Sequence, residues 1–248
     1  MNAFTRRIRN IISPGSSFID ASDEYINWLL VSNAGMQHKG NIYCFELAIS
    51  ELPGQHPVLE IGAHAGLSAN IINWLLRKHN RTNTIISVDP WLVRGYNDEH
   101  PPDANYLKYL AANPDITRDN YAEFIRESYI RNTSFFSPGR EPFAFRMLSD
   151  AFFETWQQQK NLTDELGRNF SAGGQFSFVY IDGNHDYDYC RRDFENADQF
   201  LAPGGFILFD DSADGSSFGS ARFARELESD VRYKLRAKNP NRLFQKVK

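Results

Sequence analysis

The sequence predicts an α/β fold: a seven-stranded, mostly parallel sheet with helices on both faces and a helical extension before the first strand. Three observations carry this. From residue 57 onward, short β-rich runs alternate with helical patterns, the order that produces right-handed crossovers and parallel pairing. The runs between strands repeat apolar residues every three or four positions, as helices packed on a sheet do. The last two β-rich runs, residues 233–238 and 242–248, flank the tight turn Asn239-Pro-Asn241, which makes them an antiparallel hairpin.

Taken in order, residues 57–61 and 84–89 are the first two strands. Between them Leu67, Ile71, Trp74 and Leu75 recur at helical spacing. Residues 91–141 are less regular, broken at Pro101-Pro102 and Asn113-Pro114, with a helix expected over 119–136; they read as an insertion on the substrate side. Residues 142–148 are a third strand, followed by a helix through Trp156. Gly173-Gly174 turns the chain into the fourth strand, residues 176–182. Tyr187, Cys190, Phe194, Ala197 and Leu201 then mark an amphipathic helix, which Pro203-Gly-Gly205 stops before a fifth strand over 205–211. A helix over residues 220–229 precedes the hairpin. Ahead of the sheet, residues 1–56 hold helices over 23–31 and 43–52. This segment either packs on the sheet, covers a bound ligand as a lid, or forms a dimer contact, so a homodimer is an open expectation.

Composition bounds the function. With 248 residues the chain suits one domain with an insertion. A net charge of −4, with basic residues gathered only at the ends (Arg6, Arg7 and Arg9; residues 234–248), disfavours a nucleic-acid partner. No apolar run approaches the roughly 18 residues of a membrane span, and residues 1–15 lack an apolar secretory core. Two distant cysteines, Cys44 and Cys190, build neither a zinc site nor a disulfide framework. The expected compartment is the cytoplasm, and the expected partner is a small molecule.

The first candidate site is the strand–turn–helix of residues 58–68. Gly62 permits a positive φ where the chain leaves the strand, and Gly66 lacks a Cβ where backbone nears a ligand. Free N–H groups at the following helix start suit an anion, with Ala63 in the turn and Ser68 capping the helix or touching that anion. Glu60 precedes the first glycine, and His64 stands where a dinucleotide loop has its middle glycine. Asp89 ends the second strand, where a carboxylate accepts ribose hydroxyls in nucleoside-binding sheets. Ser149 and Asp150 end the third strand; they either reach an adenine amine or cap the next helix.

The second is a carboxylate cluster. Asp182 ends the fourth strand and Asp210-Asp211 the fifth, its neighbour, so three acids share the edge where open α/β sheets bind ligands. Two carboxylates about 4 Å apart repel by about 4 kcal/mol at an effective dielectric near 20. A proton, a basic group or a cation must offset that, and oxygen ligands select Mg²⁺, Ca²⁺ or Mn²⁺ over zinc. His185, three residues after Asp182, is a candidate general base, or else orients a carboxylate.

Together Leu59-Glu-Ile-Gly-Ala-His-Ala-Gly-Leu-Ser68, Ser87-Val-Asp-Pro-Trp91, Tyr180-Ile-Asp-Gly-Asn-His185 and Pro203-Gly-Gly-Phe-Ile-Leu-Phe-Asp-Asp211 resemble the Rossmann-like class I S-adenosylmethionine-dependent methyltransferases. The resemblance is closer to the macrocin-type and catechol-type O-methyltransferase branch, and it covers the chain from about residue 35. It implies that S-adenosylmethionine lies on Glu60, Gly62, Ala63, Gly66, Ser68, Asp89, Ser149 and Asp150. It also implies Mg²⁺ on Asp182, Asp210 and Asp211, and a hydroxylated small molecule such as a sugar or natural-product intermediate as acceptor. Some relatives carry an acid two positions after the first of these aspartates; here that position is Asn184, which leaves His185, Asp186 or a residue outside the motif as base, with Asp182 beside it. The alternatives are a metal-independent methyltransferase with His185 as base, a hydroxylase-type relative of the same fold, a nicotinamide oxidoreductase and a non-catalytic binding protein.

Overall fold

The computed structural model describes residues 23–92 and 117–247. Expectations placed on the N-terminal arginines and on the Pro101-Pro102 and Asn113-Pro114 breaks lie outside these residues. Two helices, α1 (Glu24–Ser32) and α2 (Lys39–Ser50), precede β1 (Val58–Ile61), α3 (Leu67–Lys78) and β2 (Ile85–Val88). Then come α4 (Arg118–Phe136), β3 (Phe143–Phe145), α5 (Ser149–Gln157) and a small hairpin of β4 (Asn161–Thr163) and β5 (Asn169–Ser171). The chain closes with β6 (Phe176–Ile181), α6 (Tyr187–Phe200), β7 (Leu201–Phe209), α7 (Gly219–Leu227), β8 (Tyr233–Lys238) and β9 (Arg242–Lys246).

The seven-stranded sheet has the order β3-β2-β1-β6-β7-β9-β8. Pairing is parallel from β3 to β7, and β9 runs antiparallel to both β7 and β8. This is the expected architecture. Each layer follows from the alternation of side chains along a strand. Leu59, Ile61, Val88, Ile207 and Phe209 face α5, α6 and α7, where Phe152, Trp156, Phe194 and Phe223 bury. Val58, Ile85, Phe206 and Leu208 face the other way, onto α1, α2 and α3 through Leu29, Phe45, Ile49, Ile71 and Leu75. β6 serves both layers, with Phe176 and Val179 on one side and Phe178 and Tyr180 on the other, and at its start the facing strand β7 takes extra residues between Leu201 and Phe206.

Several boundaries move. The third strand is three residues long rather than seven, because the chain turns after Phe145. β7 begins at Leu201 and runs through Pro203-Gly204, so Pro203-Gly-Gly205 lies inside the strand instead of before it. Helix α2 starts at Lys39, with the His38 ring accepting from the Gly40 N–H at 3.0 Å; Gly40 sits in its first turn because a Cβ there would strike the Asn239 carbonyl. The hairpin β4–β5 was not expected. Its exposed polar residues carry no apolar period, and only Leu162 and Phe170 turn inward onto the core. Among the described residues no helix is long and apolar enough to cross a membrane.

Candidate active site

The C-terminal ends of β1, β2, β6 and β7 carry almost every residue singled out from the sequence. At the end of β1 the chain must turn sharply. Gly62 does so at φ +83°, and a Cβ there would lie 2.0 Å from the Asp182 carbonyl oxygen. Only glycine lets the loop after β1 rest on the end of β6. Gly66, at φ +85°, is the N-cap of α3. The space its missing side chain leaves is taken by Thr133 and Tyr129 of α4, 3.1 and 3.2 Å from a built Cβ, so this glycine also serves helix packing and not ligand approach alone.

Asp89 binds this loop directly. Its Oδ2 accepts from the N–H groups of Ala63 (2.9 Å) and His64 (3.0 Å), and its Oδ1 accepts from the Trp91 N–H at 2.7 Å. Burial raises its pKa against the pull of those three donors. Glu60 is fully buried in register with Ser87 and Tyr180. It accepts from the Ser87 hydroxyl at 2.7 Å and from the Ser68 hydroxyl. Loss of water pushes its pKa up to about 7, with the two hydroxyls pulling the other way and the Asp89 charge adding to the rise. Ser68 therefore does not cap α3, whose cap makes no side-chain bond; its hydroxyl ties the helix start to Glu60.

The third-strand pair is placed differently. Ser149 and Asp150 are the first two residues of α5, whose N-cap is Leu148, so neither caps it. Ser149 donates to Asp193 at 2.5 Å, and Asp150 pairs with Arg192 at 3.0 Å and accepts from Asn196 at 3.2 Å. Both are engaged by α6. Burial lifts the pKa of Asp193 to about 7.

The acid cluster assembles at the ends of β6 and β7. Asp182 and Asp210 lie within hydrogen-bond reach of each other, carboxyl to carboxyl. Removal from water holds both well above the usual carboxylate range, and the Asp211 charge adds to it. Tyr180 donates to Asp182 Oδ2 at 2.9 Å. Asp210 Oδ1 accepts from the side-chain amides of Asn41 and Asn241, the second at 2.6 Å. The Asn41 amide also meets the Tyr180 hydroxyl at 3.2 Å, and its Oδ1 accepts from Asn241 at 3.0 Å. His185 stands between the acids, Nε2 3.8 Å from Asp182 Oδ1 and Nδ1 3.5 Å from Asp211 Oδ2, with its ring 4.9 Å from that of Phe218. Its Nε2 is shut off from solvent without a hydrogen-bond partner. The donor set is all carboxylate oxygen, with an orphaned ring nitrogen beside it, which suits a hard cation in chemistry. Among the described residues, no group of three acid, His or Cys side chains is arranged to hold a metal ion.

Reading the sequence missed the supports of this cluster. Asn41 lies on the buried stripe of α2 with Phe45, Ala48 and Ile49, and a polar residue in that stripe was the available signal. Asn241 looked like an ordinary turn residue. Arg242, 1% exposed, pairs with Glu228 at 2.6 Å and binds Asp214 and the Ser212 carbonyl, fixing the chain that follows Asp211. Nothing about an arginine at a strand start announced that.

The fold has solved counterparts. An O-methyltransferase from Bacillus cereus in complex with SAH matches over 100% of this chain and 98% of its own, at 13% identity and a TM-score of 0.55. TomG from Streptomyces achromogenes, an O-methyltransferase of tomaymycin synthesis in complex with SAM, matches over the whole of both chains at 12% identity and a TM-score of 0.53. CalS11, a TDP-rhamnose 3′-O-methyltransferase of calicheamicin biosynthesis, covers 98% of this chain and 92% of its own at 11% identity and a TM-score of 0.51. Identities this low show a shared fold. Comparison with curated protein sequences gives no match. The family model of the methyltransferase domain matches residues 59–212, from the first strand through the acid pair. That span is well over half of the sequence, and the chain belongs to the methyltransferase domain family.

Proposed function

We propose that the protein transfers a methyl group from S-adenosylmethionine to a hydroxyl oxygen of a small molecule. One observation carries this reading: Gly62 seats the loop of residues 60–68 directly on the strand end that bears Asp182. A donor lying on that loop would hold its reactive end beside Asp182, Asp210 and His185. The TDP-rhamnose acceptor of CalS11 makes a sugar hydroxyl the first class to try.

The donor supplies a methyl carbon on a positively charged sulfur, open to displacement by an acceptor oxygen. The chain must then take the acceptor's proton. His185 is placed for it: Nδ1 turns toward Asp211, and Nε2, 3.8 Å from Asp182 Oδ1, makes no hydrogen bond of its own and would accept the proton. The new O–C bond forms as the C–S bond breaks, its electron pair staying on sulfur and the hydroxyl proton resting on Nε2. A divalent cation held by Asp182, Asp210 and Asp211 would favour the deprotonated form of the acceptor oxygen; the crowding of carboxyls supports that finer reading. The second reading keeps His185 as base without a metal, and its unpartnered Nε2 favours it.

Purified protein is expected to bind S-adenosylhomocysteine in calorimetry and to transfer labelled methyl to members of a panel of sugars and phenols. No binding in that assay defeats the proposal. Full transfer in excess EDTA, with no metal by elemental analysis, would decide for the metal-free reading.

A further inference from the structure

Helices α1 and α4 present large apolar side chains to solvent. On α4, Phe124, Ser128, Arg131 and Phe135 recur at intervals of four, three and four residues, which places them on one face. The two phenylalanines are eleven residues apart, about 16 Å along the helix axis. On α1, Trp28 sets its ring edge-on to that of Phe135, 6.3 Å away, and Val31 follows one turn later. Trp28, Val31, Phe124 and Phe135 are between 47% and 87% exposed. An aromatic side chain can bury about 150–250 Å², so the four offer roughly 400 Å² of apolar surface per copy. A standard interface takes about 800 Å² from each partner, a little over half of it apolar. The exposed area matches that apolar share.

We infer that this surface pairs with the same surface of a second copy of the chain, around a two-fold axis that sets two α4 helices antiparallel. A two-fold contact brings one residue onto another and, by symmetry, the second onto the first. With the axis midway between Phe124 and Phe135, each Phe124 meets Phe135, Trp28 and Val31 of the second copy. Glu127 and Arg131 stand between these apolar ends. Within one chain they are largely exposed and only 3.9 Å apart at their closest, a pair worth little in water. Across the axis Glu127 faces Arg131 of the second copy, and this happens twice. The stripe is therefore complementary to itself in charge, with apolar groups at both ends. Glu123 and Arg126, also on α4, pair with Arg146 and Glu165 of their own chain and leave that exchange undisturbed. One acid and one base at the centre suit neither a nucleic acid nor an anionic membrane, each of which calls for an excess of cations.

Sedimentation velocity on the full chain, over a dilution series, tests this. Wild type should run as a dimer of the 28.5 kDa chain and dissociate on dilution. Phe124→Asp should raise the dissociation constant about thirtyfold or more, the scale of a buried aromatic anchor, while its circular dichroism stays that of the folded chain. Glu127→Arg sets like charges against each other across the axis, and Arg131→Glu does the same with the opposite sign. Each variant alone should dimerise about tenfold more weakly or worse. Mixed in equal amounts, the two should form a heterodimer tighter than either homodimer, because every charge then meets its opposite. An ion pair that acts only within one helix is not restored by mixing. Wild type that stays monomeric at every concentration overturns the inference. So does a dimer that Phe124→Asp leaves as tight as before, which would place the contact on another surface. Charge variants that dimerise like wild type, or a mixture without the tighter heterodimer, overturn it as well.

Discussion

The loop of residues 60–68 and the acid cluster at the ends of β6 and β7 stand side by side, yet they are built in opposite ways. The loop is local. One strand, one turn and one helix start supply it, and its contacts to Asp89 are backbone N–H groups that any residues would offer. The acid cluster is distributed. Its carboxylates come from two strands, and what orients them comes from α2, from Tyr180 and from the turn before β9. Local backbone geometry tolerates sequence change as long as the glycines remain. A side-chain network fails at any of its members, because each buried polar group left unpaired costs about 1–3 kcal/mol.

The two regions meet at Gly62, where the largest effect is expected. Gly62→Ala places a methyl group 2.0 Å from the Asp182 carbonyl at a backbone angle that disfavours it. The loss should be roughly 3 kcal/mol or more in urea unfolding. Binding of S-adenosylhomocysteine and methyl transfer should fall together. A variant as stable as wild type, with both properties intact, would show that the loop and the acids are coupled by something other than this contact.

Asp210→Ala separates the regions instead of damaging both. Transfer to any acceptor found in the panel should drop about 10²-fold or more, the range for groups that assist proton transfer or charge stabilisation. Affinity for S-adenosylhomocysteine should stay within about threefold, since that loop makes no contact with Asp210. Asn241→Ala should move in the same direction by less, through the carboxylate it holds. If donor affinity collapses along with turnover, the division into a local and a distributed site is wrong.

This division also explains what could be read without coordinates. The positions of the strands along the chain, their parallel pairing and the closing hairpin follow from hydrophobic period and turn residues, which are local signals. Glu60, Gly62 and Asp89 were legible for the same reason. Asn41 and Asn241 were not, because their role exists only when residues 200 positions apart meet over Asp210. The β4–β5 hairpin was illegible for a different reason: each strand is three residues long with a single inward side chain, Leu162 or Phe170, too short a stretch to show a period.

Glu60 gives a smaller effect with a defined sign. Its folded pKa of about 7 lies above the ordinary 4.5 because burial penalises the carboxylate. Between these values the folded chain holds a proton that the unfolded chain releases. The group's stabilising contribution is complete below about pH 4.5 and is lost as the pH rises through 7. Glu60→Gln stays neutral throughout. Relative to wild type it should therefore gain stability across that window, by up to about 3 kcal/mol. Denaturant curves at several pH values measure this difference, and a flat one would mean that Ser68 and Ser87 keep the carboxylate ionised inside the fold.

The smallest expected effect separates Ser149 from Asp150. Ser149 donates to Asp193, which is buried, so Ser149→Ala removes a donor from an interior carboxyl and should cost about 1–2 kcal/mol. Asp150 is 49% exposed, with partners on the surface of α6, and Asp150→Ala should change stability by no more than about 0.5 kcal/mol. Placed on α6 in this way, neither side chain is free to meet an adenine amine unless it first leaves its partner. Affinity for S-adenosylhomocysteine should then be indifferent to Asp150→Ala. A tenfold loss in that variant, with unfolding unchanged, would show that α5 turns its first residues toward the donor on binding. The adenine end would then belong with the distributed side of the molecule and not with the loop.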